Sequence, residues 1–516
     1  MNKNTYMVTT PIFYVNGKPH IGHAYSSIAA DVLARFQRLE GKDVFFETGT
    51  DEYGQKVERT ALSKNITPQI FADRVSKEFQ KMQKVMNVQS DFFVRTTYAA
   101  HKKSAQALWT KIKEKGFIYL GYYEGWYSAR DEAFVGNDEL KTSPTGEKTT
   151  LEGAPVEYIK EPSYFFKLSA FTERLLDFYE KNPDFISPMG ARREIESFVK
   201  QGLRDLSISR TSFKWGIPVP DDEEHVMYVW FDALSNYLTG VGYPETEGED
   251  FKKFWPPKVH LIGKEIARFH AIYWPAFLMA AELELPKKIF AHGWWTVEGQ
   301  KMSKSIGNVL DPLALSDEFG VDQLRYFLMR EVPFGGDANF SRSSLITRIN
   351  TELANDLGNL AQRVLSFVAK NHNGVLPGRV ACLPEDFDAL LKKAYGLHAV
   401  VKEAMDEVAL TKGLDKVWEV IREANAYIDH QAPWKLRKTN PERMTVVLWV
   451  LVEALRCIAV ITQPYMPEKM SKLLDLLAVP SEDRMFASLQ AALLREEISF
   501  PKPEPLFPRI EVVENK

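Results

Sequence analysis

The chain contains 516 residues, enough for three or four domains at about 100–200 residues per domain. Hydrophobic residues make up 45% of the chain and the net charge is −4, which favours packed cores and excludes a uniformly basic nucleic-acid-binding coat, although not a local basic face. The only cysteines are Cys382 and Cys457, which excludes a disulfide scaffold and a multi-cysteine zinc ribbon and is typical of a reducing compartment.

The sequence contains no segment that we expect to enter a membrane. The first residues, Met1–Tyr14, lack the apolar core of a signal peptide. The most apolar later run, Met444–Val452, is followed by Glu453 and Arg456 and is too short to cross a bilayer. We therefore expect a soluble, cytoplasmic protein with no membrane partner and, since no appended dimerisation module is evident, a monomer.

The N-terminal residues predict a strand, a loop, a helix and a second strand in succession. Tyr6–Thr10 favour a strand, proline and glycine interrupt Pro11–Pro19, and apolar residues then recur at helical spacing over His20–Gly41. Val44–Phe46 is short and apolar, as in a buried strand, and leads to Asp51. This βαβ pattern predicts a parallel sheet, in which ligands bind at the carboxyl ends of the strands. The loop and Asp51 are therefore expected at a binding site.

The rest of the chain changes character several times. Gly121–Gly153 is rich in Gly, Ser and Thr and predicts hairpins, Tyr164–Tyr179 predicts a helix, and Trp215–Pro220 is an aromatic and proline run. The α/β pattern resumes at Tyr228–Phe231, and apolar spacing over Leu353–Val368 indicates a helical bundle. We predict an α/β fold divided into a Rossmann-like parallel-sheet domain split into residues 1–115 and 226–298, an insertion at 116–225, a connecting segment at 299–350, an all-α bundle at 351–490 and an extended tail at 491–516.

Two histidines stand where the first loop enters the helix, in Pro19-His20-Ile21-Gly22-His23. Their spacing places both imidazoles on one helix face, where they can donate hydrogen bonds to a phosphate oxygen that gains charge in a transition state. The unpaired N–H groups of a helix N-terminus attract the same anion, and Gly22, which has no Cβ, lets a nucleotide base lie close to the backbone. Two cap histidines on a surface helix would explain the same residues.

A lysine-rich pentapeptide, Lys301-Met302-Ser303-Lys304-Ser305, follows a turn-like segment. Its two cations can close over a triphosphate and neutralise charge as the bond between the α- and β-phosphates breaks. A solvated lysine loop without a ligand would have the same sequence.

The two motifs occur in this order, far apart in the chain and each in an α/β context, and together they resemble the signatures of class I aminoacyl-tRNA synthetases. His20–His23 matches the HIGH signature of that family, and Lys301–Ser305 matches its KMSKS signature. The resemblance implies a catalytic set of His20, His23, Lys301 and Lys304. It implies ATP contacts from His20, Gly22, His23 and Lys304, with Mg²⁺ accompanying ATP as co-substrate.

A finer resemblance, to methionyl-tRNA synthetases, covers nearly the whole chain. It rests on Thr10–Gly17, on Gly49–Glu52, on Tyr228–Ala233 and on His260–Ile266 with its continuation to Trp274. The resemblance implies an aromatic, mostly apolar pocket, which suits a thioether because that group is apolar, polarizable and flexible.

The resemblance also assigns individual residues to substrates. Asp51 is expected to receive the ammonium group of methionine. The implied methionine-binding residues are Ile12, Tyr14, Asp51, Trp230, Ala233, Tyr237, Ile266, His270 and Trp274. Further ATP contacts are implied for Gly263 and Glu265, on the ribose, and for Gly293 and Trp295, beside the adenine. Taken alone, Trp230, His270 and Trp274 would more often be ordinary core residues.

Two segments of the helical bundle, Asn355–Arg363 and Gln431–Lys435, resemble the anticodon-reading helices of the family. An exposed tryptophan can stack on an unpaired base, and asparagine and arginine can hydrogen-bond to its edge. The implied tRNA anticodon contacts are Asn359, Arg363, Pro433 and Trp434. An asparagine on a helix surface and a tryptophan packed on a helix end would explain the same residues.

One departure from the family concerns zinc. Many members carry Cys-x-x-Cys pairs in the insertion, whereas the corresponding stretch, Trp126–Asp131, has none, and no cysteine lies between Met1 and Ala381. A structural zinc site of this type needs four closely placed nitrogen or sulfur ligands. We therefore predict the zinc-free form, with no metal site.

The resemblance implies the reaction of that family, which forms methionyl-adenylate from L-methionine and ATP and transfers the methionyl group to the 3′-terminal adenosine of initiator and elongator tRNA(Met). Synthetases for leucine, isoleucine or valine normally carry a larger editing insertion, and a cysteine enzyme needs zinc ligands that this chain lacks. A small nucleotidyltransferase of the same fold would not need the helical bundle. An inactive tRNA-binding protein is a further alternative, against which the intact histidine and lysine motifs argue.

Overall fold

The computed structural model describes residues 4–128, 130, 133–136, 139–142, 146–302, 307–376, 386–490 and 497–511. The chain divides into two compact units. The sheet unit comprises Met1–Pro19, Val44–Lys84 and Gln89–His292, and the helical unit comprises His20–Asp43, Val85–Val88 and Gly293–Lys516. The helix that follows the first strand in sequence therefore belongs to the helical unit.

A six-stranded sheet forms the centre of the sheet unit. Its strands occur in the spatial order Phe92–Arg95, Asp43–Asp51, Thr5–Tyr14, Val259–Gly263, Ile289–His292 and Ile186–Ser187. The pairs Asp43–Asp51 with Phe92–Arg95 and Thr5–Tyr14 with Val259–Gly263 are parallel, and the remaining described pairs on the far side are parallel as well. The carboxyl ends of these strands therefore lie at one edge of the sheet, as the βαβ pattern predicted.

The first strand is longer than the sequence pattern suggested. It continues through the predicted loop as far as Tyr14, because Phe13 is buried and the chain stays extended up to buried Val15. Val15 N donates a hydrogen bond to Asp51 O at 3.1 Å, which joins the ends of the two strands. Ile12 and Tyr14 are consequently strand residues rather than loop residues.

Helices cover this sheet, and its central strand is buried on both faces. Every residue of Val259–Gly263 is buried, as expected for an apolar strand in the middle of a parallel sheet. The helices of the sheet unit are Gln55–Ser63, Pro68–Val85, Ala99–Glu114, Thr172–Lys181, Met189–Lys200, Val229–Leu234, Asn236–Thr239, Glu249–Phe254 and Trp274–Ala280, with shorter helical turns at Leu168–Phe171, Lys264–Ile266 and Phe269–Tyr273.

The insertion is built mainly of strands. One sheet has the order Leu206–Ser207, Glu157–Phe166, Ile118–Ser128 and Ala133–Val135, a second has the order Ser209–Arg210, Asp222–Met227 and Pro218–Val219, and Leu140–Thr142 pairs with Lys148–Thr150. The hairpins predicted for this region are confirmed. The helix predicted over Tyr164–Tyr179 is wrong in its first part, because Phe165 lies across from Tyr119 and stacks on its ring at 5.7 Å. Where a segment fits both a helix and a strand pattern, cross-strand packing determines its secondary structure.

The helical unit is almost entirely α-helical. Its helices are Ile21–Leu39, Pro312–Phe319, Val321–Arg330, Arg342–Arg348, Ile349–Gly358 (a wider, π-type continuation), Asn359–Asn371, Asp386–Asp406, Leu410–Gln431, Pro433–Thr439, Pro441–Thr462 and Pro467–Leu476, with short turns at Ser481–Asp483 and Phe486–Gln490. Its strands are Trp295–Val297, Gln300–Lys301, Ala338–Phe340, Val375–Leu376 and Ile498–Ser499. Within the tail, Leu506 and Phe507 are buried rather than extended into solvent.

One helix of this unit is longer and more apolar than expected. Pro441–Thr462 is long and apolar enough to cross a membrane, whereas the sequence analysis predicted that this apolar segment is too short. However, 94% of its most apolar 18-residue stretch is buried inside the protein. Glu453 and Arg456 form a buried ion pair at 2.7 Å, so this is the core helix of the bundle.

A buried arginine anchors the helix that carries the two motif histidines. Arg325 donates to the Asp31 carboxylate at 2.7 Å, and both side chains are inaccessible to solvent. The same guanidinium donates to the main-chain carbonyls of Met86, Pro464 and Tyr465 at 2.9–3.0 Å. A buried charge with every donor engaged fixes the helix Ile21–Leu39 against its neighbours in this unit.

Candidate active site

Four of the predicted methionine-binding residues, Trp230, Tyr237, His270 and Trp274, form one aromatic cluster around His260. The Tyr237 ring lies 4.1 Å from the His260 ring and 5.9 Å from the Trp274 ring, and Trp230 meets His270 edge-on at 6.4 Å. The cluster belongs to the sheet unit, and His260 lies on the central strand. The structure therefore brings together the aromatic residues that the sequence scattered.

Hydrogen bonds fix the protons of both histidines in this cluster. His270 Nδ1 lies 3.0 Å from Ile266 O, which can only accept, so the proton sits on Nδ1 and Nε2 accepts from the Tyr237 hydroxyl at 2.7 Å. Trp274 Nε1 donates to His260 Nε2 at 3.2 Å, so Nδ1 of His260 donates to the Thr9 hydroxyl at 2.6 Å. Both rings are held as the Nδ1–H tautomer.

Burial keeps these groups uncharged. It lowers the pKa of His270 to about 4 and the pKa of His260 well below its usual value, and it raises the pKa of the Tyr237 hydroxyl. At neutral pH the pocket therefore presents aromatic rings and no net charge, which suits an apolar ligand side chain.

The remaining predicted methionine-binding residues belong to the same unit. Tyr14 and Ile266 are partly buried and pack against the core that contains it, and Ile266 O holds His270. Ala233 is buried on the helix that carries Trp230. Ile12 and Ala233 have no ring and are not members of the cluster. Asp51, at the carboxyl end of its strand, is 7% exposed.

The sequence analysis gave no individual role to two residues of this cluster, Phe269 and His260. Phe269 stacks on Trp230 with ring centroids 3.7 Å apart and planes within 6°, so it sets the orientation of the indole. His260 sits among the rings and holds Trp274. Phe269 and His270 lie in a π-type turn, Phe269–Tyr273, a distortion that is frequent at functional sites. No periodic signal in the sequence marks such a turn.

Gly263 and Glu265, predicted to face the ribose, are close together. Gly263 is the last residue of the central strand, and Glu265 is an exposed residue in the turn that follows. A Cβ at position 263 would come within 2.5 Å of the Glu265 carboxylate. The carboxylate therefore lies over the glycine at the edge where ligands bind in such sheets.

In the helical unit, His20 and His23 cap the helix Ile21–Leu39. Gly22 N donates to His20 Nδ1 at 3.1 Å and His20 N donates to His23 Nδ1 at 3.0 Å, and the ring centroids are 3.7 Å apart. Since each Nδ1 accepts a main-chain N–H, each proton resides on Nε2. The predicted placement of both imidazoles on one face is confirmed, and so is their capping role.

The expectation that unpaired main-chain N–H groups bind an anion is wrong for this helix start. Ile21 N donates to Leu310 O at 3.1 Å, Gly22 N donates to His20 Nδ1, and His23 N donates to His20 O at 3.0 Å. The capping interactions take up these donors. The capping interactions do not use the Nε2–H groups of the two imidazoles.

The lysine motif is only partly described. Lys301 ends a short strand, Gln300–Lys301, which pairs with Trp295–Val297, and its side chain is outside the described part of the structure. Lys304 lies among residues 303–306, outside the described residues. The described residues resume at Gly307. The Leu310 carbonyl accepts a hydrogen bond from Ile21 N at the start of the histidine helix.

The two residues predicted beside the adenine differ in accessibility. Trp295 is 4% exposed and its ring packs edge-on against Tyr25 at 5.6 Å. Its neighbour Trp294 is 39% exposed. Gly293 lies so close to Gly336 that a Cβ would come within 2.3 Å of that residue's carbonyl oxygen. The Trp295 side chain is therefore a core group, and only its main chain remains for a ligand.

In the helical bundle, two of the predicted anticodon residues, Arg363 and Trp434, lie side by side. Trp434 is 44% exposed, and the Arg363 guanidinium lies 5.7 Å from the centre of its ring while donating to Asp429 at 2.6 Å. Asn359 is exposed one turn before Arg363 on the same helix. Pro433 is buried and begins the helix Pro433–Thr439, so it positions Trp434 rather than presenting a surface.

Among the described residues, no group of three or more His, Cys, Asp or Glu side chains could hold a metal ion. Ala129 and Asp131, in the stretch that corresponds to the zinc knuckle of other family members, lie outside those residues. The prediction of a zinc-free insertion therefore still rests on the sequence.

Two family models match the chain. The model for tRNA synthetases class I (M) matches residues 6–150 and 138–365, and the model for the anticodon binding domain of methionyl tRNA ligase matches residues 383–516. The chain belongs to the methionyl class I tRNA synthetase family. The predicted fold class, a parallel-sheet domain followed by an anticodon-binding helical region, is confirmed, and so is the predicted enzyme class, an ATP-dependent aminoacyl-tRNA ligase.

Individual relatives match along the whole chain. The methionine–tRNA ligase of Rickettsia felis is 53% identical over 512 residues, covering 99% of this chain and 99% of the relative. That of Brucella suis biovar 1 is 52% identical over 509 residues, covering 99% and 98%. Mycobacterium tuberculosis methionyl-tRNA synthetase in complex with methionyl-adenylate is 49% identical with a TM-score of 0.95, covering 98% of this chain and 100% of that chain.

Proposed function

We propose that the chain is specific for methionine. It activates L-methionine with ATP to methionyl-adenylate and transfers the methionyl group to the 3′-terminal adenosine of tRNA(Met), initiator and elongator alike. The observation that carries the proposal is the aromatic cluster around His260, which holds both of its histidines uncharged and so complements an apolar, polarizable thioether.

In the first step, a carboxylate oxygen of methionine attacks the α-phosphorus of ATP, which is supplied as its Mg²⁺ complex. The bond from that phosphorus to the oxygen bridging the α- and β-phosphates breaks, and pyrophosphate leaves. The Nε2–H groups of His20 and His23 donate to the phosphate as its negative charge increases, and Lys301 and Lys304 neutralise the departing pyrophosphate. Positioning and charge stabilisation account for catalysis, and no protein nucleophile is needed.

Methionine binds at the carboxyl edge of the sheet. Asp51 receives its ammonium group, and the side chain enters the uncharged pocket formed by Trp230, Tyr237, His270 and Trp274 with Ile12, Tyr14, Ala233 and Ile266 around it. Two observations support this assignment: Asp51 lies at a strand end joined to the first strand, and both pocket histidines are neutral. A thioether has no charge to match, so a neutral aromatic surface is the complementary one.

We assign the ATP contacts one by one, as the family resemblance implies them. Glu265 accepts hydrogen bonds from the ribose hydroxyls beside Gly263, and Gly293 and the main chain of Trp295 flank the adenine. The position of the Glu265 carboxylate over Gly263 supports the first assignment, and the burial of the Trp295 side chain limits the second to its main chain.

In the second step, the terminal 2′-hydroxyl oxygen of tRNA attacks the carbonyl carbon of the adenylate, the hydroxyl proton is released and AMP leaves. Trp434 and Arg363, with Asn359, read the anticodon in the helical bundle. An exposed indole beside a guanidinium provides a stacking platform together with donors for a base edge or a phosphate. We further expect a cytoplasmic monomer without structural zinc, divided into the six segments given above.

Amino-acid-dependent exchange of pyrophosphate into ATP tests the proposed specificity. The assay is run with each proteinogenic amino acid in turn. Exchange should be fastest with methionine, and the enzyme should then charge tRNA(Met). Faster exchange with leucine, isoleucine, valine or cysteine would assign the chain to a sister enzyme. Binding of tRNA without any exchange would identify an inactive tRNA-binding protein. Zinc at one equivalent in chelator-washed protein would overturn the zinc-free prediction.

A further inference from the structure

The residue after Asp51 is held by an unusually complete set of hydrogen bonds. The Glu52 carboxylate is buried and accepts from Arg95 at 2.7 and 3.0 Å, from the Thr50 hydroxyl at 2.7 Å and from the Thr97 hydroxyl at 2.5 Å. A buried carboxylate satisfied by a bidentate arginine and two hydroxyls does not reorient readily. The backbone immediately after Asp51 is therefore held in one position.

A tryptophan from the insertion holds the next turn of the same backbone. Trp215 Nε1 donates to Glu52 O at 2.7 Å, and Trp215 O accepts from Gly54 N at 3.1 Å. Its ring also contacts the Tyr53 ring, with centroids 5.0 Å apart. One residue thus engages each of the three residues that follow Asp51.

The insertion holds Trp215 in turn. A Cβ at Gly216 would come within 2.9 Å of the Val226 side chain, so the chain after Trp215 lies directly against the strand Asp222–Met227. Ile217 O accepts from Met227 N at 2.8 Å. The aromatic and proline run that the sequence analysis left without a role is therefore the part of the insertion that reaches the loop after Asp51.

We propose that Trp215 is a positioning residue for Asp51. Its hydrogen bonds to Glu52 O and Gly54 N keep the Asp51 carboxylate where it can receive the α-ammonium group of the amino acid. The proposal rests on the proposed function, in which Asp51 is that group's partner. Trp215 acts through the backbone and does not itself touch the substrate. The insertion thereby contributes to amino-acid affinity as well as to the architecture of the sheet unit.

The substitution Trp215→Phe tests this role, because it removes the indole N–H and keeps an aromatic ring against Tyr53. Loss of one hydrogen bond should raise KM for methionine in pyrophosphate exchange about three- to tenfold. KM for ATP should stay within about twofold of the wild-type value. The inhibition constant of 4-(methylthio)butanoate, which has the side chain of methionine but no ammonium group, should also stay within about twofold. Equal losses in all three quantities, or no change in any, would overturn the proposal.

Two further variants separate the possible failures. Lys214→Ala removes the exposed neighbour that pairs with Glu224 at 3.2 Å, leaves Trp215 in place and should change none of these quantities. Asp51→Asn should raise KM for methionine by itself, and adding Trp215→Phe to it should cost less than about twofold more if both act through one carboxylate. If the KM increases of the two single variants multiply in the double variant, Trp215 does not act through Asp51. No effect of Asp51→Asn would refute the proposed role of Asp51 itself.

Discussion

The two pairs of histidines in this protein are held in opposite tautomers. In the pocket of the sheet unit, His260 and His270 carry the proton on Nδ1, because their Nε2 atoms accept from an indole and a phenol. At the start of the helix in the helical unit, His20 and His23 accept main-chain N–H groups at Nδ1 and carry the proton on Nε2. One pair lies in an uncharged aromatic cluster, and the other carries its protons on Nε2.

This difference shows that the partner of Nδ1 decides what a histidine can do. A carbonyl or hydroxyl oxygen at Nδ1 turns Nε2 into an acceptor, and a main-chain N–H at Nδ1 turns Nε2 into a donor. Under the proposed function, the first pair serves apolar recognition and the second pair stabilises a phosphate. The changes below affect one pair at a time or leave both intact.

The largest effect is expected at the helix cap. In His23→Asn the amide oxygen can still accept from His20 N, so the cap and the melting temperature should be kept, but the Nε2–H donor is lost. We expect kcat for pyrophosphate exchange to fall about 100- to 1,000-fold with little change in KM for methionine. His23→Gln, which places an amide N–H near the Nε2 position, should retain more activity. An Asn variant as active as the wild type would contradict the donor role.

In the pocket, the corresponding effect is on stability and depends on pH. The pKa of His270 is about 4 in the native protein, against about 6.5 when unfolded, so between these values the unfolded chain binds a proton that the native chain does not. The free energy of unfolding should therefore fall as pH drops from 6.5 to 4, by about 3 kcal/mol from this group. His270→Asn should show a shallower pH dependence in denaturant titrations. An unchanged slope would show that His270 is not buried in its neutral form.

Changing the anticodon group should leave both histidine pairs unaffected. Trp434→Ala removes the exposed ring beside Arg363, which should reduce the rate of tRNA charging about tenfold, the scale of one lost stacking contact. Methionine-dependent pyrophosphate exchange should be unchanged. Equal loss in both assays would mean that Trp434 maintains the fold of the bundle.

The smallest effect concerns the phenol that fixes the pocket tautomer. Tyr237→Phe removes the donor to His270 Nε2 while keeping the ring. One lost hydrogen bond should raise KM for methionine about fivefold and leave KM for ATP unchanged. If KM for ATP rises equally, the hydroxyl supports the whole site rather than the pocket.

The sequence predicted the elements of the site better than their assembly. The motif at His20 and the strand before Asp51 follow from local spacing, and so do the parallel sheet and the helical region. The π-type turn that places His270, the stacking of Phe269 on Trp230 and the reach of Trp215 all depend on contacts between distant segments. Such contacts leave no periodic trace in a single sequence, because the residues that make them read locally as ordinary core.

Nitrogen-15 NMR of histidine side chains tests the contrast between the two pairs most directly. The long-range couplings of each ring report which nitrogen carries the proton. We predict protonated Nε2 and unprotonated Nδ1 for His20 and His23, and the reverse for His260 and His270, at neutral pH. A proton on Nδ1 of His20 or His23 would contradict the donor role of the cap histidines and with it the proposed stabilisation of the phosphate.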